Sequence, residues 1–137
     1  MPREHQHMRR RVIQALRELD AIAVENSAYP GTPDVAYIGG WVELKEADAW
    51  PKKATTPLAM RHFTRHQRAW IRRHAEKGGT VFVLLKVGKS EWFLIDGKIA
   101  ADILGGATRQ EIQSAACLAF DKGLNNEELL KCLKLRI

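Results

Sequence analysis

"GTPDVAYIGGWVELKEADAW", residues 31–50, sets Asp34, Glu43 and Lys45 among Val35, Tyr37, Val42 and Leu44. Gly39-Gly40 reads as the turn of a hairpin. With that loop Ile38 faces Trp41, Ala36 faces Glu43 and Asp34 faces Lys45. Side chains alternate along a strand with period two, so Asp34, Ala36, Ile38, Trp41, Glu43 and Lys45 share one face. Val35, Tyr37, Val42 and Leu44 share the other, which is the core face. Asp34 and Glu43 are diagonal neighbours in this register, about 7–8 Å apart, and their carboxylates can converge on one point. Two hard oxygen donors suit Mg²⁺, with Mn²⁺ as a substitute, and the Leu44 carbonyl is placed to add a ligand. Lys45 then holds a cation beside the metal, to orient or activate a water and offset charge on a pentavalent phosphate. An exposed strand face can carry the same charges as an ordinary salt-bridged surface. The rigid "GTPD" approach and the matching parity of "ELK" favour the metal reading, which is a site for phosphodiester hydrolysis.

Around this hairpin the chain alternates helix and strand signals. Met8, Val12, Leu16 and Leu19 recur at helical spacing over residues 4–19, and a short strand is expected from Ile22 to about Glu25. "SAYPGTP" is a loop. After the hairpin, "DAWPKKATTPLAMRHF" reads as a long basic loop. Thr64 is a helix N-cap, and the helix runs to Lys77 before Gly78-Gly79 stops it. "TVFVLLKV" and "EWFLID" are strands. "TRQE" at Thr108–Glu111 is a capping box opening a helix expected to reach Gly123, and "NNEELLKCLKL" is a short final helix. This order predicts an α/β fold, a mixed central sheet flanked by helices, in one domain over residues 1–137. Its core spans about residues 4–96, and a C-terminal helical extension spans about 108–135. The C-terminal helices pack on the core or pair subunits in this reading, with a helix–turn–helix as the alternative.

The composition narrows the partner. Lys and Arg number 22 against 16 Asp and Glu, a net charge of +6 and a pI near 9.6. Such a balance favours an anionic partner, nucleic acid before membrane. No apolar run approaches a membrane span, and the N-terminal stretch lacks the apolar region of a signal peptide. Cys117 and Cys132 are isolated and read as small core residues. These features point to a cytoplasmic protein.

"PD" followed nine residues on by "ELK" resembles the signature of the PD-(D/E)XK nuclease superfamily. "GTPD", "WVELK" and "FTRHQRAW" followed by "GGTVFVLLKV" more narrowly resemble the virus-type replication-repair nuclease (VRR-NUC) family, over roughly residues 4–87. The resemblance implies a restriction-endonuclease-like core and a metal-dependent DNA endonuclease. It also implies a small homodimer of phage type, similar to Holliday-junction resolvases and acting on branched DNA in a bacterial or phage-infected cytoplasm. It places the family's aspartate on Asp34, its glutamate on Glu43, its lysine on Lys45 and its helix glutamine on Gln67. Related nucleases add an acid from the first helix, for which Glu4 and Glu25 are the candidates here. Restriction-type or general DNA cleavage, and a non-catalytic nucleic-acid-binding module, are the alternatives.

Gln67 shares a stripe with Trp70, Ile71 and His74, so it either bonds near the catalytic lysine or ends the stripe in water. Arg65, Arg68 and Arg72 fall on the opposite side and can track a phosphate backbone or form a solvated face. Arg9 and Arg10, with Lys52, Lys53 and Arg61 in or beside the long loop, complete the candidate DNA surface. Trp41 and Trp50 either stack on unpaired bases or pack internally.

Overall fold

The structure, a computed structural model, describes residues 6–26 and 28–137. Six strands form one sheet in the order β1-β2-β3-β4-β5-β6. They are β1 (Ile22–Ala23), β2 (Val35–Tyr37), β3 (Gly40–Ala47), β4 (Val81–Val87), β5 (Glu91–Asp96) and β6 (Leu118–Phe120). All pairings are antiparallel except β3 with β4. A parallel pair needs a crossover, and the segment carrying α2 (Arg65–Glu76) supplies it. The expected mixed α/β sheet flanked by helices is what the chain forms.

Each face of the sheet has its own apolar layer. On one face α1 (Gln6–Ala15) and α5 (Asn126–Lys134) cover Val35, Tyr37, Val42, Leu44, Phe82, Leu84 and Leu94. Met8, Val12, Leu129 and Leu133 are buried in that layer. On the other face α2, α3 (Gly97–Ile103) and α4 (Arg109–Ala115) cover Val81, Val83, Leu85, Phe93 and Ile95. The helix expected over residues 4–19 ends at Ala15 and continues as a 3₁₀ turn, Arg17–Leu19.

Three expectations need correction. The hairpin closes one residue early, because Tyr37 pairs with Gly40 and the loop is Ile38-Gly39. Only Gly39 takes a left-handed backbone, φ 101°, while Gly40 is extended within β3. A Cβ on Gly40 would lie 2.6 Å from the Tyr37 hydroxyl, so its glycine serves a close approach. The helix begun at Thr108 stops at Ala115, and residues that would have continued it form β6 against β5. The C-terminal region is thus no separate extension: it adds a strand to the sheet edge and lays α5 on α1. Leu124, Leu129 and Leu133 are spent on the core, while Leu135 stays exposed. Of the two free cysteines, Cys117 is exposed and not a core residue, while Cys132 is half-buried and packs against the core under α1 and α5. Among the described residues no helix is long and apolar enough to cross a membrane.

Candidate active site

The corrected hairpin register keeps the side-chain parity and tightens the acidic pair. Val35 pairs with Val42, so one step further Asp34 stands directly opposite Glu43 rather than diagonal to it. Opposed Cβ atoms lie about 4.5–5.5 Å apart. The Leu44 N–H donates to Asp34 Oδ2 at 2.9 Å and fixes that carboxylate against β3. A residue's N–H and C=O point to the same side of a strand, so the Leu44 carbonyl opens beside Asp34. Gly31 lets the approaching loop press on α2: with φ +90°, its Cβ would fall 2.3 Å from the His66 carbonyl oxygen.

The charged face of β3 is not a solvent face. Glu43 is 1% exposed and Lys45 3%. Lys45 Nζ donates to the His62 carbonyl at 2.9 Å and to Gln67 Oε1 at 2.9 Å, and sits 3.1 Å from Glu43 Oε2. An ammonium has three donors and no acceptor, so these contacts satisfy it fully. The Phe63 ring lies 5.1 Å away. Gln67 reaches the lysine through the start of α2. Thr64 caps the helix, and its N–H donates to Gln67 Oε1 at 2.9 Å, while Gln67 N–H donates back to Thr64 Oγ1. One amide oxygen thus closes the capping box and holds Lys45. The string "TRHQ" at residues 64–67 carries the box's signature, a signal the helical-stripe reading of Gln67 overlooked.

Burial, with the Asp34 carboxylate next to it, pushes the Glu43 carboxyl up to about 8, against a partial opposing pull from Lys45. Glu43 Oε1 is buried and has no hydrogen-bond partner among the described residues. Two acids sharing one buried point cannot both ionise, so without a cation Glu43 keeps its proton and shares it with Asp34. A hard cation between Asp34 and Glu43 would let both ionise and engage the remaining oxygen, so the donor set fits a divalent metal with oxygen ligands. Among the described residues no group of three or more His, Cys, Asp or Glu gathers in a metal-binding cluster. A coordination shell drawn from the described residues would comprise the two carboxylates and the Leu44 carbonyl, with water or phosphate to complete it.

Glu4 lies outside the described residues. Glu25 is exposed and pairs with Arg9, whose Nη1 is 3.4 Å from Glu25 Oε1 and whose Nη2 is 3.4 Å from Asp34 Oδ1. Arg9 is thus turned into the acidic site instead of out to a DNA surface. The α2 arginine row is divided. Arg65 is exposed, but Arg68 packs over Phe63 and donates to the Ala101 carbonyl at 2.8 Å. Arg72 donates to the same carbonyl and pairs with Asp102. These two arginines fasten α2 to α3. Arg10, Lys52, Lys53 and Arg61 are exposed. Trp41 packs edge-on against Trp70, and Trp50 does so against Phe93 while donating to Glu91. A cleft of about 750 Å³ opens over Lys45 between the end of β3 and the strap of residues 56–62, with Trp50 and Leu58 in its lining.

No family model matches the chain, and no curated protein matches its sequence. The fold is similar to that of Archaeoglobus fulgidus Hjc, a Holliday junction resolvase from an archaeal hyperthermophile, at a TM-score of 0.50 and 16% identity. The likeness covers 81% of this chain and 92% of the archaeal one, and at that identity it is a likeness of fold.

Proposed function

We propose that this protein is a metal-dependent DNA endonuclease selective for branched DNA such as Holliday junctions. The observation that carries this reading is the buried trio of Asp34, Glu43 and Lys45, in which one Glu43 oxygen is left without a partner. Asp34, Glu43 and the Leu44 carbonyl would hold Mg²⁺, or Mn²⁺ in its place. The ion, when bound, supplies Lewis-acid stabilisation of the phosphate and a water of lowered pKa. Lys45, held by Gln67 and the His62 carbonyl, keeps a fixed positive charge beside the scissile phosphate, where negative charge grows during attack. Gln67 aims it and makes no contact with the reacting atoms. Glu43, 1% exposed, would keep bulk water away from the ion's inner side.

Exposed Arg10, Lys52, Lys53, Arg61 and Arg65 form the phosphate-tracking surface in this reading, and the cleft over Lys45 admits the backbone. The +6 charge favours DNA, and the likeness to a protein described as a Holliday junction resolvase favours a branched substrate. Resolving a four-way junction takes two opposed cuts, which a twofold dimer supplies with two identical sites. With Leu129 and Leu133 of α5 buried, exposed apolar side chains such as Ile22, Ile38, Leu135 and Ile137 would supply such an interface. A role in DNA repair or recombination in a bacterial or phage-infected cytoplasm follows from the same reading.

The test is a nicking assay on four-way junctions and linear duplexes, with Mg²⁺ and with EDTA, alongside light scattering of the same samples. Junctions cut by a dimer, and only with metal, are expected. Asp34→Asn or Glu43→Gln should lower that cleavage on the order of a thousandfold. Equal cutting of linear duplex would transfer the reading to a general nuclease. DNA binding without cleavage under any divalent ion would leave a binding module.

A further inference from the structure

Arg9 places a cation in a site that, on the reading above, is built for a metal. It comes from α1 and reaches both Glu25 and Asp34. Its two contacts, each 3.4 Å, are longer than the roughly 2.7–2.9 Å of a good charge-assisted bond. Its Nε is buried with no acceptor among the described residues. The contrast with Lys45 is plain, since Lys45 has an acceptor for each of its donors. Arg9 is held close and held poorly. A guanidinium in that condition balances the charge of Asp34 at little cost to remove.

We propose that Arg9 is a positioning residue that competes with the divalent ion for Asp34. It neutralises that carboxylate in the metal-free protein and gives way when the ion binds. Asp34 Oδ2 accepts from the Leu44 N–H, and Oδ1, 3.4 Å from Arg9 Nη2, is the oxygen for which the guanidinium and the ion would compete. Glu25, exposed and already 3.4 Å from Arg9 Nη1, offers the displaced guanidinium a place to stay. Arg9 therefore lowers metal affinity, and its loss should raise it.

This inference rests on the proposed metal site, and the experiment separates the two. Mn²⁺ binding to the full chain is titrated by the electron paramagnetic resonance signal of the free ion, with no DNA present. Arg9→Gln should bind Mn²⁺ about tenfold more tightly than the native protein, because a positive charge a few ångströms from the ion is gone. Arg9→Lys, which keeps the charge, should stay near the native affinity. A gain in affinity is not what a damaged fold produces, so the readout distinguishes competition from mere structural support. If the native protein binds Mn²⁺ and Arg9→Gln binds it equally or more weakly, the competition is wrong and the metal site survives. If neither protein binds Mn²⁺, both the inference and the metal site are overturned.

Discussion

Strand β3 shows two burial regimes within eight residues. Val42 and Leu44 point into the layer under α1 and α5, and both are essentially inaccessible. Glu43 and Lys45, one residue over, are almost as inaccessible on the face under α2. The dry side is stabilised by burial of apolar area, about 25 cal/mol per Å². The other side buries an ion pair, and such a pair contributes little net stability once its desolvation is counted. A chain optimised for stability alone would carry apolar residues at 43 and 45. Equal burial with opposite chemistry marks the face on which the proposed reaction would run.

The largest expected effect separates these faces by activity. Lys45→Ala should reduce cleavage per folded molecule on the order of a hundred- to a thousandfold, comparable to removing one oriented stabiliser of developing charge. It should also cost some stability, because the part-buried His62 carbonyl and Gln67 Oε1 lose the ammonium as donor. Leu44→Ala should cost about 2–5 kcal/mol in denaturant unfolding and leave the cleavage rate of the remaining folded protein close to native. If Leu44→Ala abolishes cleavage without unfolding, or Lys45→Ala cuts normally, the division between faces fails.

The next effect is one of pH. The folded Glu43 carboxyl titrates near 8, against 4.5 for an ordinary glutamate. A raised folded value means the folded state holds a proton that the unfolded chain has released between those limits. The contribution is therefore intact below about 4.5 and is lost as pH rises through about 8. Metal-free protein should show a falling Tm across that window, and Glu43→Gln should flatten the fall. Mg²⁺ should raise Tm more at the alkaline end, since only the carboxylate binds it. A Tm that climbs over the same range in EDTA would contradict the buried-acid account.

The smallest effect contrasts arginines on one helix. Arg65→Ala should leave stability unchanged and reduce the salt dependence of DNA binding by about one phosphate contact. Arg68→Ala should instead lower stability by about 1.5–3 kcal/mol, the range for hydrogen bonds to charged groups, with the salt slope unaltered. Matching behaviour of the two variants would restore a continuous arginine surface on α2.

Local chemistry made much of this protein legible in one dimension. Period-two alternation assigned the side chains of residues 35–37 and 41–45 to their correct faces, because a two-residue slip of the hairpin preserves parity. It put Ile38 on a strand, however, where the chain makes its turn. Thr64 and Gly78 bounded α2 through capping and backbone preferences that act within a few residues. The β4 and β5 strands announced themselves as apolar runs. What tertiary structure alone decided was pairing and burial. Two glycines in succession do not say which of them takes the left-handed turn, so the direct opposition of Asp34 and Glu43 waited on the packing of Gly40 against Tyr37. Residues 118–120 became a strand because β5 offered an open edge, a long-range bond that no local propensity encodes. Likewise Arg9 and Arg68 carry the same charge as Arg65, and only the neighbouring elements determine which cation faces an acid, a carbonyl or water.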